Sequence, residues 1–180
     1  NPSDGIASLD TSRHRTNTFE EPNSLEAAEL REFLRVMREK YPQHFAMTFM
    51  GFVTGLRPST LRPLRRGGAT PDVLWDRGLV LVRQSQTHGD EVMDGTKTAV
   101  DQTIAVPQEL LDVLRWHAET QLRPGPQRES NLLFPSETGG FRSRTALDKP
   151  FKDVARAIGL KKKLTAKGMR RSFQDLARAA

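Results

Sequence analysis

The stretch FAMTFMGFVTG, residues 45–55, limits what this chain can become more than any other segment does. It is apolar on nearly every side of a helical wheel, so a helix built from it must be enclosed by protein. The flanking segments supply the cover. Before it, Leu30, Phe33, Leu34 and Met37 recur at i, i+3, i+4 and i+7, the spacing of a helix with one apolar face. Asn23, with Glu26 three residues later, predicts a capping box at the start of that helix, and Lys40-Tyr41-Pro42 ends it. Gly55 predicts the end of the enclosed helix. Pro58 then opens a short helix over residues 58–64. Pro63 should kink or stop it, because an interior proline costs ~3 kcal/mol.

From Val73 the period changes from helical to extended. VLW, the turn DRG and LVLVRQ predict a hairpin, and QTIAV supplies a third short strand after THGDEVMDGTKTAVD, which is too polar for a core. PQELLDVLRWHAETQL returns to helix with Leu110, Leu111 and Leu114 on one face. NLLFPSETGGF buries a short apolar piece and turns at Gly139-Gly140. Asp148 and Pro150 open a helix that Gly159 closes, and Thr165 is positioned to cap a last one. The expected fold class is α+β, mainly α, with one three-stranded antiparallel sheet within residues 73–106. Residues 1–22 lack periodicity and predict an extended lead-in, and residues 23–180 predict a single domain.

Charge narrows the function. The chain carries a net +6, but residues 142–180 hold 12 Lys and Arg against 3 Asp, so the remaining residues are mildly acidic. A cationic end on an acidic body suits a polyanion, most often nucleic acid; a basic solvated face is the plain alternative. There is no cysteine, which fits a reducing compartment, and the four histidines have no metal-ligand spacing, so neither a metal nor a cofactor is expected. No apolar run approaches the ~20 residues of a membrane helix, so no membrane partner is expected.

Three basic stretches stand apart. In TGLRPSTLRPLRR, Arg57 follows the apolar run directly and is expected to start near the interior, where a guanidinium needs a carboxylate or an arriving anion. Both readings are open from the residues alone. GTKTAVD places Lys97 in or near a turn between strands, where a lysine is ordinarily a solvated charge. In LTAKGMRRSF, Lys167 and Arg170 are three residues apart, hence on one face near a helix N-terminus, an arrangement that suits a phosphate. Arg171 points elsewhere, toward packing or a backbone phosphate.

Taken together, TGLRPSTL, GTKT before the last strand and LTAKGMRRSF resemble the ordered boxes of the tyrosine recombinase (phage integrase) family. The lead-in NP and NLLFPSETGG fall in the family's order as well. The resemblance implies a DNA breaking-and-rejoining fold, with double-stranded DNA as partner and no metal. In such an enzyme a tyrosine attacks the scissile phosphate, forming a 3′-phosphotyrosine link and releasing a 5′-hydroxyl. By motif, Arg57 and Arg170 are the two clamp arginines, Lys97 protonates the departing oxygen, and Lys167 stands where a histidine is usual. Arg171, Arg144 and Thr96 are assigned to DNA contact. The resemblance further implies site-specific integration or excision, a homotetramer on DNA, and action in the bacterial cytoplasm.

Two departures accompany it. Thr60 occupies the position where the family commonly has Glu or Asp, so the orienting partner of Arg57 is open. The only tyrosine, Tyr41, precedes the first arginine at a helix end, so no nucleophile is expected within this chain. The expectation is an incomplete, inactive piece of a catalytic domain. The rival readings are a DNA-binding relative without a nucleophile and, further off, a basic RNA-binding or scaffold protein.

Overall fold

In the computed structural model, residues 23–86, 92–94 and 102–180 are described. The lead-in 1–22 and the GTK box with Thr96 and Lys97 lie outside the described residues. Seven α-helices are described, α1 (Ala27–Lys40), α2 (Pro42–Thr54), α3 (Pro58–Leu61), α4 (Gln108–Trp116), α5 (Pro126–Glu129), α6 (Asp148–Ala157) and α7 (Gly168–Ala179). Strands β1 (Val73–Leu74), β2 (Leu79–Val82), β3 (Gln84–Gln86), β4 (Val92–Asp94) and β5 (Gln102–Ala105) lie between α3 and α4.

The enclosed helix is α2, packed against α1, α4 and α7. Phe45, Ala46, Met47, Met50 and Phe52 are all buried along it. α1 presents Phe33 and α6 presents Phe151 to Phe52, the first two rings meeting edge-on at 5.1 Å and the last two stacking at 6.5 Å. Aromatic contacts of this kind add directional preference to apolar burial, so this cluster sets how the three helices meet. α2 ends at Gly55, whose φ of 63° is left-handed. Pro63 does stop α3, and earlier than expected, at Leu61.

The sheet β1-β2-β5 is antiparallel with Val73 opposite Val80 and Leu79 opposite Ala105. Val80 and Val82 face the core while their neighbours on β2 are only half-buried, which is why the alternation was readable. A second sheet, β3 paired with β4, corrects the expectation of a single one. Its residues QSQ and VMD carry no apolar alternation; pairing rests on the backbone ladder and leaves no hydrophobic period to read.

Two expected caps are also corrected. Asn23 does not cap α1: Glu26 does, with its N–H donating to Glu29 Oε2 at 2.8 Å. Thr165 does not cap α7, which begins at Gly168. Instead the two would-be caps bind each other across the fold. The Thr165 N–H donates to Asn23 Oδ1 at 3.0 Å, and Asn23 Nδ2 donates to Thr165 Oγ1 at 2.8 Å.

That tie is one side of a clamp on α7. A Cβ on Gly168 would lie 2.8 Å from the Asn23 carbonyl oxygen, so only glycine lets residues 23–25 cross the helix start. Ser172 Oγ accepts from the Leu25 N–H at 2.8 Å. On the other side, Gly51 and Gly55 leave a smooth strip on α2. A Cβ on Gly51 would meet Met169 Sδ, and one on Gly55 the Phe173 ring, each at 2.4 Å. Met169 is fully buried there and has nowhere to retreat.

The interior also holds charge without carboxylates. Arg142, 5% exposed, donates to the carbonyls of Pro135 and Gln43 and pairs with Nδ1 of His44. Burial and the Arg142 cation push His44 down to about 4. His117, fully buried at the start of a π-helical turn after α4 and 5.5 Å from the Phe134 ring, is pushed down to about 3, chiefly by burial.

Gly55→Ala should destabilise the domain by about 1–3 kcal/mol, since it adds left-handed strain to a clash with Phe173. Chemical denaturation of the two proteins at neutral pH measures this. For the histidines, the unfolded side chains bind protons near pH 6.5 and the folded ones only near 4 and 3. Below pH 6.5 unfolding therefore takes up protons, and the stability present above that pH is lost as pH falls toward 4. Between pH 7.5 and 5 the loss from this pair should be on the order of 2–4 kcal/mol. Urea unfolding of wild type against His44→Gln/His117→Leu checks it; equal pH dependence in both would refute the assignment.

Candidate functional site

The α2–α7 contact brings two distant parts of the chain together. Arg170 lies in the first turn of α7, and its Nη1 donates to the Gly55 carbonyl at 3.0 Å. Gly55 is two residues before Arg57, which serves as N-cap of α3. The loop after α2 and the start of α7 thereby become opposite walls of one cleft of about 990 Å³.

Among the described residues, five cations line that cleft: Arg57, Arg62, Arg144, Lys167 and Arg170. Asp148 is the single acidic one among the described residues of its wall. None of the five forms an ion pair among the described residues. Elsewhere the protein does pair its arginines: Arg35 binds Glu32 and Glu39 at 2.6 Å, and Arg83 binds Asp72 at 2.6 Å. Unpaired like charges gathered in a concave wall raise the local potential and favour an anionic ligand. Guanidinium groups in particular match phosphate oxygens in geometry.

Thr96 and Lys97 apart, each residue singled out from the sequence has a definite place. Arg57 is exposed and not interior, which corrects that expectation: Leu56 before it is still buried, and the exposure begins only at Arg57, the N-cap of α3. Nor is it held by an ion pair. Thr60, in the position considered for its partner, turns its Oγ1 back to donate to the Arg57 carbonyl at 2.8 Å. Arg144 and Lys167 are exposed on the cleft wall, and Arg170 is half-buried. Arg171 faces away from the main cleft into a shallower groove of about 290 Å³ shared with Asn23, Lys167, Arg170 and Gln174. Thr96 and Lys97 lie outside the described residues. Tyr41 does not line the cleft; its hydroxyl donates to Asp153 on α6 at 2.6 Å.

Sequence reasoning missed Arg62. It is 5% exposed, and it donates from Nε to Gln86 Oε1 at 2.5 Å and from Nη2 to the Gln86 carbonyl at 2.9 Å. Burial first, and the nearby Arg144 cation second, hold it below the usual arginine value. The one available signal was its place directly after the buried Leu61, ahead of Pro63, where a chain leaving a short helix still faces inward. Among the described residues no group of three or more His, Asp and Glu side chains could hold a metal ion.

No family profile matches the sequence, and no curated protein resembles it closely enough to match. Solved structures do. The Tn1549 transposon integrase in complex with transposon right end DNA superposes with a TM-score of 0.76 at 17% identity, over 96% of this chain and 58% of that one. XerA recombinase gives 0.65 at 18% identity, over 87% of this chain and 51% of that one. The XerH site-specific recombinase bound to its difH substrate gives 0.57 at 19%, over 89% and 44%. The chain thus spans just over half the length of the Tn1549 integrase chain. At these identities the shared property is the path of the backbone: helices and small sheet alike, this chain has the catalytic-domain fold of the tyrosine recombinases.

Proposed function

We propose that this chain forms the phosphate-binding core of a site-specific DNA recombinase that cleaves and rejoins strands through a 3′-phosphotyrosine intermediate. The observation that carries this is the cleft of five cations without ion pairs, set between the end of α2 and the start of α7 of this fold. Arg57 and Arg170 approach the non-bridging oxygens of one phosphate and stabilise the charge that grows in the pentacoordinate transition state. Lys167, at the N-cap of α7, donates to a phosphate oxygen; an ammonium group has donors only, so it does not accept a proton while charged. Lys97 protonates the departing 5′ oxygen. Arg144 and Arg171 follow the DNA backbone on either side, and Thr96 contacts it beside Lys97.

The nucleophile on this reading is a tyrosine outside residues 1–180. Tyr41 is committed to Asp153 and Lys149, away from the cleft. A DNA-binding relative without a nucleophile uses the same cleft, so the assay must read chemistry as well as binding. The full-length enzyme works as a tetramer on DNA, in the cytoplasm.

Duplex binding by residues 1–180 should be weak and steeply salt-dependent. Arg57→Ala and Arg170→Ala should each lower the log–log salt slope by ~0.9, the loss of one phosphate contact. Fluorescence anisotropy at several salt concentrations reads the slope, and a flat wild-type response would defeat the reading. On a nicked suicide duplex this chain should give no covalent adduct, because positioned donors multiply the reactivity of a nucleophile and cannot replace it. The full-length protein should give one that Arg57→Ala abolishes. An adduct mapped to Tyr41 would overturn the assignment, and no adduct from the full-length protein would favour the binding relative.

A further inference from the structure

Two arginines, Arg62 and Arg142, are each 5% exposed, and they are compensated differently. Arg142 has an acceptor for every guanidinium nitrogen: the Pro135 carbonyl, the Gln43 carbonyl and His44 Nδ1. Arg62 has Gln86 alone, which takes the Nε and Nη2 edge. Its Nη1 has no acceptor among the described residues, and no carboxylate offsets its charge. Unlike the sealed nitrogens of His117, Nη1 is open to the cleft, where an arriving anion supplies the counter-charge that the protein does not. Arg142 sits behind the fold, between α2 and the turn at Pro135. Arg62 sits in the wall of the cleft with Arg57, Arg144, Lys167 and Arg170.

We infer that Arg62 is an anion-binding residue of the cleft, held edge-on by Gln86 so that Nη1 and its unoffset charge meet a phosphodiester oxygen of bound DNA. The inference rests on the recombinase reading for the identity of the ligand; the chemistry on the page is that of a phosphate. A guanidinium locked along one edge loses little rotamer freedom on binding, so the remaining N–H groups are preset. Gln86 is then a positioning residue. It is itself 4% exposed and, as the end of β3, fixes the arginine against the second sheet. A purely structural Arg62 would instead be a strut joining the end of α3 to β3.

Inorganic phosphate, titrated at constant ionic strength against chloride, separates these roles. Wild type should gain roughly 3–6 °C more in thermal midpoint than Arg62→Met at phosphate about tenfold above the dissociation constant. General salting effects of phosphate act on both proteins and cancel in the difference. The Arg62 Nε–H resonance, identified by its absence in the variant, should move with the same phosphate dependence. Equal midpoint gains in both proteins, or an Nε–H signal that phosphate leaves in place, would overturn the inference. Should Arg62→Met fail to fold, Arg62→Lys identifies the resonance and the wild-type titration decides alone. A duplex arm keeps the two readings apart. Loss of ~0.9 in salt slope on Arg62→Met supports DNA as the ligand. A phosphate response through Arg62 with no duplex binding at all leaves the anion site standing and removes the recombinase.

Discussion

The fold depends on a contact that two missing side chains permit. Gly51 and Gly55, one turn apart on α2, lie against Met169 and Phe173, one turn apart on α7. Side chains at either glycine would hold the helices apart, and Arg170 would leave the cleft with α7. Gly55 serves three ends at once. Its left-handed φ terminates the enclosed helix, its missing Cβ admits Phe173, and its carbonyl receives the Arg170 guanidinium. A carbonyl at a helix C-terminus lacks an intrahelical donor, so this bond satisfies an acceptor as well as orienting a cation. Bringing residues 115 positions apart together in this way closes a long loop, yet the entropic cost grows only logarithmically with length.

Charge is then sorted by geometry more than by count. The basic run at 142–180 reads from sequence as a uniform cationic surface. In the fold it divides. Arg142 is interior, Lys162 binds Glu29 at 2.7 Å, and Lys149 and Arg156 lie beside Asp153. Arg178 pairs with Asp175. What remains free of carboxylates in the cleft is Arg144, Lys167 and Arg170, joined by Arg57 and Arg62 from the far end of the sequence. The net charge alone does not show where the cations gather; the cleft is assembled from residues whose acidic neighbours are elsewhere.

Local rules made most of the fold legible. The enclosed helix, the Gly55 terminus, the Pro63 stop and the sheet from Val80 and Val82 all follow from signals within a few residues. The errors have different causes, among them polar groups claimed by distant partners and a sheet without a hydrophobic period. Asn23 and Thr165 each look like a helix cap, and each is taken by the other across 142 positions. Arg57 was placed inside because it follows an apolar run, though burial ends at Leu56, one residue earlier. Arg62 was passed over because nothing beside it in sequence is its partner; Gln86 lies 24 residues on, in a hairpin with no hydrophobic period. Of the site, Arg57 was legible at a helix junction and Lys167 and Arg170 near a helix N-terminus; their meeting with Arg144 in one cleft depends on the close α2–α7 contact that the two glycines permit.

The start of α7 carries the last step of the argument. A helix selected for stability alone favours acidic residues in its first turn, where the dipole is positive, as α1 has Glu29. α7 has no acidic residue there and instead sets Lys167, Arg170 and Arg171 around its N-terminus. α3 likewise opens on Arg57 with no acid in its short span. Each misplaced cation costs ~0.3–1 kcal/mol at an exposed helix end. Two helix starts that carry cations therefore face one cleft beside a buried arginine, and of these cations Arg170 alone is partly offset, by the Gly55 carbonyl at the end of α2. An anion in the cleft would offset the charge of Arg57, Arg62, Lys167 and Arg170 together, whereas Arg171 faces the neighbouring groove.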